Sequence, residues 1–411
     1  MSKLKGNLLY GQSGGPTSVI NASAYGVITE AIKNTDEIEE VYVMRHGIQG
    51  ALNEEFFAMT KQDPDHIEFL KHTPGSAFGS VRYKMLDFKQ DETDYIRLLY
   101  IFRKYNIRYF LYNGGNDSMD TCYKIAEYMK HVDYDIVVVG IPKTIDNDLP
   151  FTDHTPGYGS AAKYVANTMQ EVAYDMLAYP KGKVTIVEIM GRHAGWLTAA
   201  ASLASVTGYG PDLIYLPEVP FSIEKFKADV RRVYGANHQC LIAVSEGLIN
   251  EEGILIGSSS GLKDAFGHFQ LGGVSSKLSN ILNSEMRISS RTIELGTTQR
   301  AAAHMQSQVD VDEAIEVGRR AVRYAVKGEH GVMVTMTRVK GDEYKIKYGK
   351  HPLSEIANVE RTIPKTMINE DGNGVTQEFI DYALPLIKGH NTPKFKNGLQ
   401  QFSTLQVNTV E

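Results

Sequence analysis

The feature that most constrains this chain is the run Ile136-Val137-Val138-Val139-Gly140, followed at once by Ile141-Pro142-Lys143-Thr144-Ile145-Asp146-Asn147-Asp148-Leu149-Pro150. A continuous β-branched run of this kind, bounded by Gly and Pro, reads as a strand buried on both faces. Such a strand needs helices above and below it, and ligands bind beyond the carboxyl ends of strands in open parallel sheets. The stretch therefore puts one cation, one hydroxyl and two carboxylates where a site is expected. Asp, Asn and Pro also favour plain surface turns, so the segment alone does not decide the matter.

The same strand–turn–helix unit recurs. Asn7–Tyr10 is a strand entering Gly11-Gln12-Ser13-Gly14-Gly15-Pro16-Thr17-Ser18, with helical spacing from Val19 to Ile32. Small residues at such a turn let backbone N–H groups approach an anion, favoured by the positive end of the helix. Val41–Met44 is a second strand. The loop Thr73–Arg82 is rich in small residues and carries one Arg, and Tyr95–Tyr105 is an amphipathic helix. Arg108–Tyr112 is a strand, Asn113–Asp117 its turn, and Ser118 the expected cap of a helix lined by Met119, Cys122, Ile125, Ala126 and Met129. A helix is predicted from about Ser160 to Met176, a strand over Val184–Ile189, the turn Met190–Gly195, and an Ala-rich helix over Trp196–Ser205. Strands follow at Leu213–Leu216 and Cys240–Val244, the latter ending at Ser245-Glu246-Gly247. A helix over Asp312–Lys327 precedes a hairpin of Gly331–Val339 and Tyr344–Tyr348 across Lys340-Gly341-Asp342-Glu343. The polar tail after about Gly389 reads as loosely ordered.

Alternating strands and helices define an α/β class with mostly parallel sheets. Polar residues gather at five strand ends, the pattern of a cleft between two such sheets. A chain of 411 residues is long enough for two cores. Its net charge of -6, with both signs interspersed, argues against a nucleic-acid surface. The two cysteines cannot form a disulfide framework, which fits a reducing cytoplasm, and no apolar run is long enough for a membrane span.

A Walker-type loop, spaced His/Cys zinc ligands and a Gly-x-Ser-x-Gly elbow are all missing, and the first turn lacks a dinucleotide-binding Gly-x-Gly-x-x-Gly. What remains is Gly-Gly turns at helix starts, scattered arginines and carboxylates at strand ends. Phosphoryl transfer uses that combination: cations spread the charge on the transferred group, and a carboxylate takes a hydroxyl proton.

On these residues the chain resembles the phosphofructokinase family, which includes ATP- and pyrophosphate-dependent enzymes. Ser13-Gly14-Gly15 with Asn21, Gly114-Gly115-Asn116-Asp117-Ser118, Pro142 to Asp148, and Met190-Gly191-Arg192 carry the resemblance in order. Glu246-Gly247 and Arg291 through Gln299-Arg300 agree with it. The resemblance implies two Rossmann-like domains with the active site in the cleft between them. Residues 1–157 plus about 299–349 would form the phosphoryl-donor domain, and 158–298 plus about 350–411 the sugar-phosphate domain. It implies Asp146 as the base toward the 1-hydroxyl of fructose 6-phosphate, and Asp148 as an orderer of the loop or of a metal's water shell. Thr144, Met190, Gly191, Arg192 and Glu246 would contact the sugar phosphate. Arg291 and Arg300 would clamp its 6-phosphate. One of those clamps and Lys183 would come from a neighbouring subunit, so a homodimer or higher homo-oligomer is implied.

Donor choice follows from two positions. ATP-dependent members have Gly where this chain has Asp117 and Lys143, whereas pyrophosphate-dependent members have Asp and Lys. An acid at Asp117 repels the α-phosphate of a nucleotide; a like charge at ~4 Å costs on the order of 1 to 4 kcal/mol. The resemblance therefore implies pyrophosphate, held by Gly14, Gly15 and Arg82, with Mg2+ as cofactor. Five positions depart from the family: Asn116 replaces an acid associated with magnesium, Ser18-Val19 a Pro-Gly pair, Lys183 an Arg, and Thr297 a His or Tyr. These departures leave open sedoheptulose 7-phosphate as acceptor, and Asn116 a non-catalytic subunit that senses sugar phosphate; a separate alternative keeps the fold but uses ATP as donor.

Overall fold

The computed structural model describes residues 4–257, 271–341 and 343–407. Apart from a two-stranded ribbon of Phe395–Lys396 and Leu399–Gln400, its strands are β1 (Gly6–Gln12), β2 (Ile38–Met44), β3 (Phe56–Ala58), β4 (Ile107–Gly114), β5 (Val137–Pro142), β6 (Val184–Ile189), β7 (Leu213–Tyr215), β8 (Cys240–Ser245), β9 (Ser290–Glu294), β10 (Val332–Arg338) and β11 (Ile346–Pro352). They form a seven-stranded sheet in the order β11-β10-β5-β4-β1-β2-β3 and a four-stranded sheet in the order β7-β8-β6-β9. Only the edge strands β3 and β11 pair antiparallel; all other pairings in both sheets are parallel. Every residue of β5, β6 and β8 is buried, as their unbroken apolar runs require.

The late segment that completes the first sheet is fixed by helix contact. The helix Ile20–Ala31 packs on Gln308–Val326 through two glycines. A Cβ on Gly26 would lie 2.1 Å from the Ile315 carbonyl oxygen, and one on Gly318 would lie 2.2 Å from that of Ser23. Only bare backbone allows this approach, and it places Thr298–Ala301, just before the second helix, over the β1 turn.

Several elements differ from the sequence reading. β4 and β5 each run two residues further, so their polar turns begin deeper in the cleft. Gly115, not Ser118, occupies the cap position of the helix Asn116–His131. Ser118 lies inside that helix, where its hydroxyl fills the space that a Cβ on Gly114 would need. Only Trp196–Ala199 is α-helical; Ala200–Thr207 tightens to a 3-10 helix. The Ser202 and Thr207 hydroxyls donate to carbonyls three residues back, at 2.7 and 3.0 Å, which suits the tighter turn. The late helix begins at Gln308, capped by Ser307, rather than at Asp312. The hairpin of β10 and β11 forms, while Asp342 in its turn lies outside the described residues.

Residues 350–411 do not all follow the second sheet. Leu353 and Ile356 enter a core of the first sheet, whereas Ile363, Phe379, Ala383 and Leu386 enter that of the second. The tail, expected to be loose, returns to the first sheet as far as it is described. Ser403 bonds to Thr73 and His66, and Gln406 to Gln62.

Behind the Asp146 loop lies a buried charged network. His154 contacts Asp153 through Nδ1 at 2.8 Å and Glu313 through Nε2 at 2.6 Å. Tyr344 donates to Glu313, and Arg338 to Asp153. Burial alone would depress the imidazolium, but Glu313 and Asp153 outweigh it and raise the His154 pKa to about 9. The folded pKa thus exceeds the unfolded value, so this contribution to stability is full below about 6.5 and is lost as pH rises through about 9. Melting curves should show Tm falling by roughly 5 °C more between pH 6.5 and 9.5 in the native protein than in H154Q. Parallel curves would contradict this.

Candidate active site

The first turn is anchored by backbone. The Ser13 N–H donates to the Asn113 carbonyl at 2.9 Å and the Gly14 N–H to that of Val81 at 3.3 Å, while the Ser80 hydroxyl donates to the Gly14 carbonyl at 2.6 Å. These bonds bring the 73–82 loop, and Arg82 at its end, beside the glycines. Asn21 pins the loop's other end. Its amide donates to the Thr73 carbonyl at 2.8 Å, and its Oδ1 accepts from the Ala77 N–H at 3.0 Å.

Cations converge on this turn. Buried Lys143 donates from Nζ to the Gly15 carbonyl at 2.7 Å. Gly14, at a φ of 76°, would put a Cβ 3.4 Å from that ammonium, and a Cβ on Gly15 would lie 2.9 Å from Arg300 Nη1. Burial lowers the Lys143 pKa to about 8; Asp146 opposes the shift, and Arg300 and Arg82 reinforce it. Burial and then Arg82 also lower the pKa of Arg300. Three mutually repelling cations around two glycines suit a multiply charged anion. Arg300, expected at the sugar phosphate, lies at the Gly14-Gly15 turn, over which Thr298–Ala301 packs.

The carboxylates lie next to them. The Asp146 N–H donates to Thr144 Oγ1 at 3.0 Å. Burial raises the Asp146 pKa, with Lys143 pulling it down and Glu360 pushing it up. Asp148 is raised to about 7, by burial first and then by Asp146 and Glu360. Asn116 Nδ2 donates to Asp148 Oδ2 at 3.2 Å, leaving Asn116 Oδ1 and Asp148 Oδ1 buried without hydrogen-bond partners. Asp117 is exposed in the first turn of the helix Asn116–His131. Among the described residues no group of three or more His, Cys, Asp or Glu could hold a metal. Two orphaned oxygens suit a hard cation that takes its remaining ligands from water and phosphate.

The second sheet supplies the facing wall. Gly191, at a φ of 144°, donates its N–H to Glu246 Oε1 at 3.3 Å and accepts from Ser245 Oγ at 2.6 Å. The Met190 N–H donates to Gln299 Oε1 at 3.2 Å. Burial raises Glu246 to about 7 against the pull of the Gly191 N–H. Arg192 acts on both Asp146 and Glu246.

Lys183 and Arg291 are not in this cluster. Both are exposed near the amino ends of β6 and β9, the far end from Met190, and Arg291 pairs with Asp175 at 3.4 Å. Two residues that sequence reasoning passed over do enter it. Glu360 bears on Asp146 and Asp148 and pairs with His193 at 3.0 Å, and Arg361 bonds to the backbone of the Asp146 loop. They sit in a non-periodic stretch before Pro364, with only the adjacent opposite charges as a signal.

The family profile described as "Phosphofructokinase" matches residues 7–325. The chain is 41% identical to the pyrophosphate–fructose 6-phosphate 1-phosphotransferase of Halomonas elongata, over 98% of this chain and 97% of that one. It is 43% identical to the protein of that name from Xanthomonas campestris, over 98% and 96%. The crystal structure of the pyrophosphate-dependent phosphofructokinase from Marinobacter aquaeolei superposes with a TM-score of 0.88 at 40% identity, covering 99% of this chain and 97% of that one.

The crowding at Gly15 is directly testable. In G15A the added methyl meets only the movable end of Arg300, so Tm should change by less than about 2 °C. Displacing Arg300 should nevertheless weaken binding of a multiply charged anion at this turn, read by calorimetry with pyrophosphate as the probe, by roughly tenfold. Unchanged affinity would show that Arg300 does not serve this turn.

Proposed function

The chain belongs to the phosphofructokinase family, and we propose that it reversibly transfers a phosphoryl group from pyrophosphate to the 1-hydroxyl of fructose 6-phosphate, giving fructose 1,6-bisphosphate and phosphate. The observation that carries this reading is Lys143, buried against the Gly15 carbonyl, with Asp146 three residues along the same loop. Asp146 takes the proton of the sugar hydroxyl. Its raised pKa makes it a stronger base than a solvated aspartate. Lys143, Arg82 and the Gly14-Gly15 turn hold the pyrophosphate, and Arg300 spans donor and acceptor. Thr144, Met190, Gly191, Arg192 and Glu246 orient the sugar phosphate. Asp117 disfavours a nucleotide's further phosphates.

Asn116 and Asp148 present the buried, unpartnered oxygens that would hold magnesium. Bound there, the ion would neutralise charge on the phosphates. Lys183 and Arg291 complete the phosphate clamp of a neighbouring copy, making the working unit a homodimer or larger. Two buried free cysteines suit the cytoplasm, and no helix among the described residues is long and apolar enough to cross a membrane.

D146N tests the base. Calorimetry should give affinities for both substrates within about threefold of native, while turnover falls by roughly a thousandfold or more. Turnover within tenfold of native would remove Asp146 from that role. N116D tests the metal reading: a second carboxylate beside Asp148 should lower the half-saturating magnesium concentration severalfold. An unchanged magnesium dependence would place the ion elsewhere.

A further inference from the structure

We propose that Arg361 is a positioning residue of this site, holding the Asp146 loop in register with the Met190-Gly191-Arg192 turn across the cleft. The proposal rests on the reading of Asp146 as the base. The loop after Asp146 has an unfavourable backbone: Asn147 and Phe151 adopt positive φ, 55° and 60°. Side chains in that region persist only where the surroundings over-determine them.

Arg361 supplies much of that determination. Its Nη1 donates to the carbonyls of Thr152 at 2.8 Å and Asp153 at 2.7 Å, and Nη2 to that of Asn147 at 2.9 Å. Its own N–H donates to the Asp148 carbonyl at 2.7 Å. Four carbonyls of the loop, from Asn147 to Asp153, are thus held by one residue. The planar guanidinium fork is what lets one side chain reach three of them. The Asn147 amide adds a bond to the Tyr382 hydroxyl at 2.7 Å and accepts from the Thr155 N–H at 3.0 Å.

The same short segment is stitched to the opposite wall. The Arg361 carbonyl accepts from Trp196 Nε1 at 3.1 Å, and the guanidinium lies 4.7 Å from the Trp196 ring centroid. Glu360 pairs with His193 at 3.0 Å. The Ile363 N–H and the Gly195 N–H both donate to Glu218 Oε1, at 3.0 and 2.8 Å. Residues 360–363 therefore contact His193 and Trp196, and reach Gly195 through Glu218, on one side, and hold 147–153 on the other. A shift of this segment moves the proton acceptor relative to the sugar's turn, and misplacement by about 1 Å can cost on the order of a hundredfold in rate.

R361K keeps the charge but cannot bridge the same carbonyls. It should lose between tenfold and a hundredfold in kcat in both directions, with KM for each substrate within threefold and an unchanged far-UV spectrum. In R361A, ethylguanidinium at tens of millimolar should restore kcat at least fivefold while leaving the native enzyme unaffected. A kcat for R361K within twofold of native overturns the proposal, as does a loss in R361A that follows the unfolded fraction and is not rescued. D146N measured alongside separates the two readings: turnover there removes the base assignment, whereas silence at Arg361 with D146N inactive removes only the positioning role.

Discussion

The site depends on a buried ammonium. Lys143 is taken almost wholly out of water, given one carbonyl at 2.7 Å, and set within reach of Arg82 and Arg300. Burial and like charges both work against its proton, which is why its pKa falls to about 8. Asp146, three residues on, works in the other direction and is itself held down by Lys143. The two charges make each other tolerable, so neither is an independent feature of the loop. An anion that brings several negative charges stabilises the whole arrangement.

Convergence of two parallel sheets is what makes such burial possible. Parallel strands need helices on both faces, so polar residues cluster just past their carboxyl ends. Here β1, β4 and β5 present glycines, an amide and the Lys143–Asp148 turn, while β6 and β8 present Gly191, Arg192 and Glu246. Carboxylates from both walls are pushed toward neutral pH by burial, Asp148 and Glu246 each to about 7. Close packing of the helices Ile20–Ala31 and Gln308–Val326 keeps Arg300 over the glycine turn, coupling the two walls through one cation.

Much of this was legible from residues close together in the chain. The β-branched runs located β5 and β6, and the sequence range for β6 matches the strand residue for residue. Lys143, Thr144 and Asp146 share one turn, so spacing alone put them together. Asn21 was legible as a motif residue, but its task of pinning the 73–82 loop was not. Arg361 was invisible because its bond to Asn147 spans 214 residues and no periodicity marks its segment. The tail misled for a related reason: its polar composition suggested looseness, yet Ser403 and Gln406 find partners more than 300 residues away. The Trp196–Ser205 helix failed locally, where hydroxyls bonding three residues back favour the tighter spiral over what alanine content promised.

The most direct test of the central claim, that Lys143 with Asp117 makes this a pyrophosphate site, is fructose 1,6-bisphosphate formation with pyrophosphate and ATP supplied separately, in the native chain and in D117G/K143G. Pyrophosphate should support turnover in the native chain and ATP should not; the double variant should lose pyrophosphate-driven turnover by several orders of magnitude. Native turnover with ATP and none with pyrophosphate, or a double variant that uses pyrophosphate as well as the native chain, would contradict it.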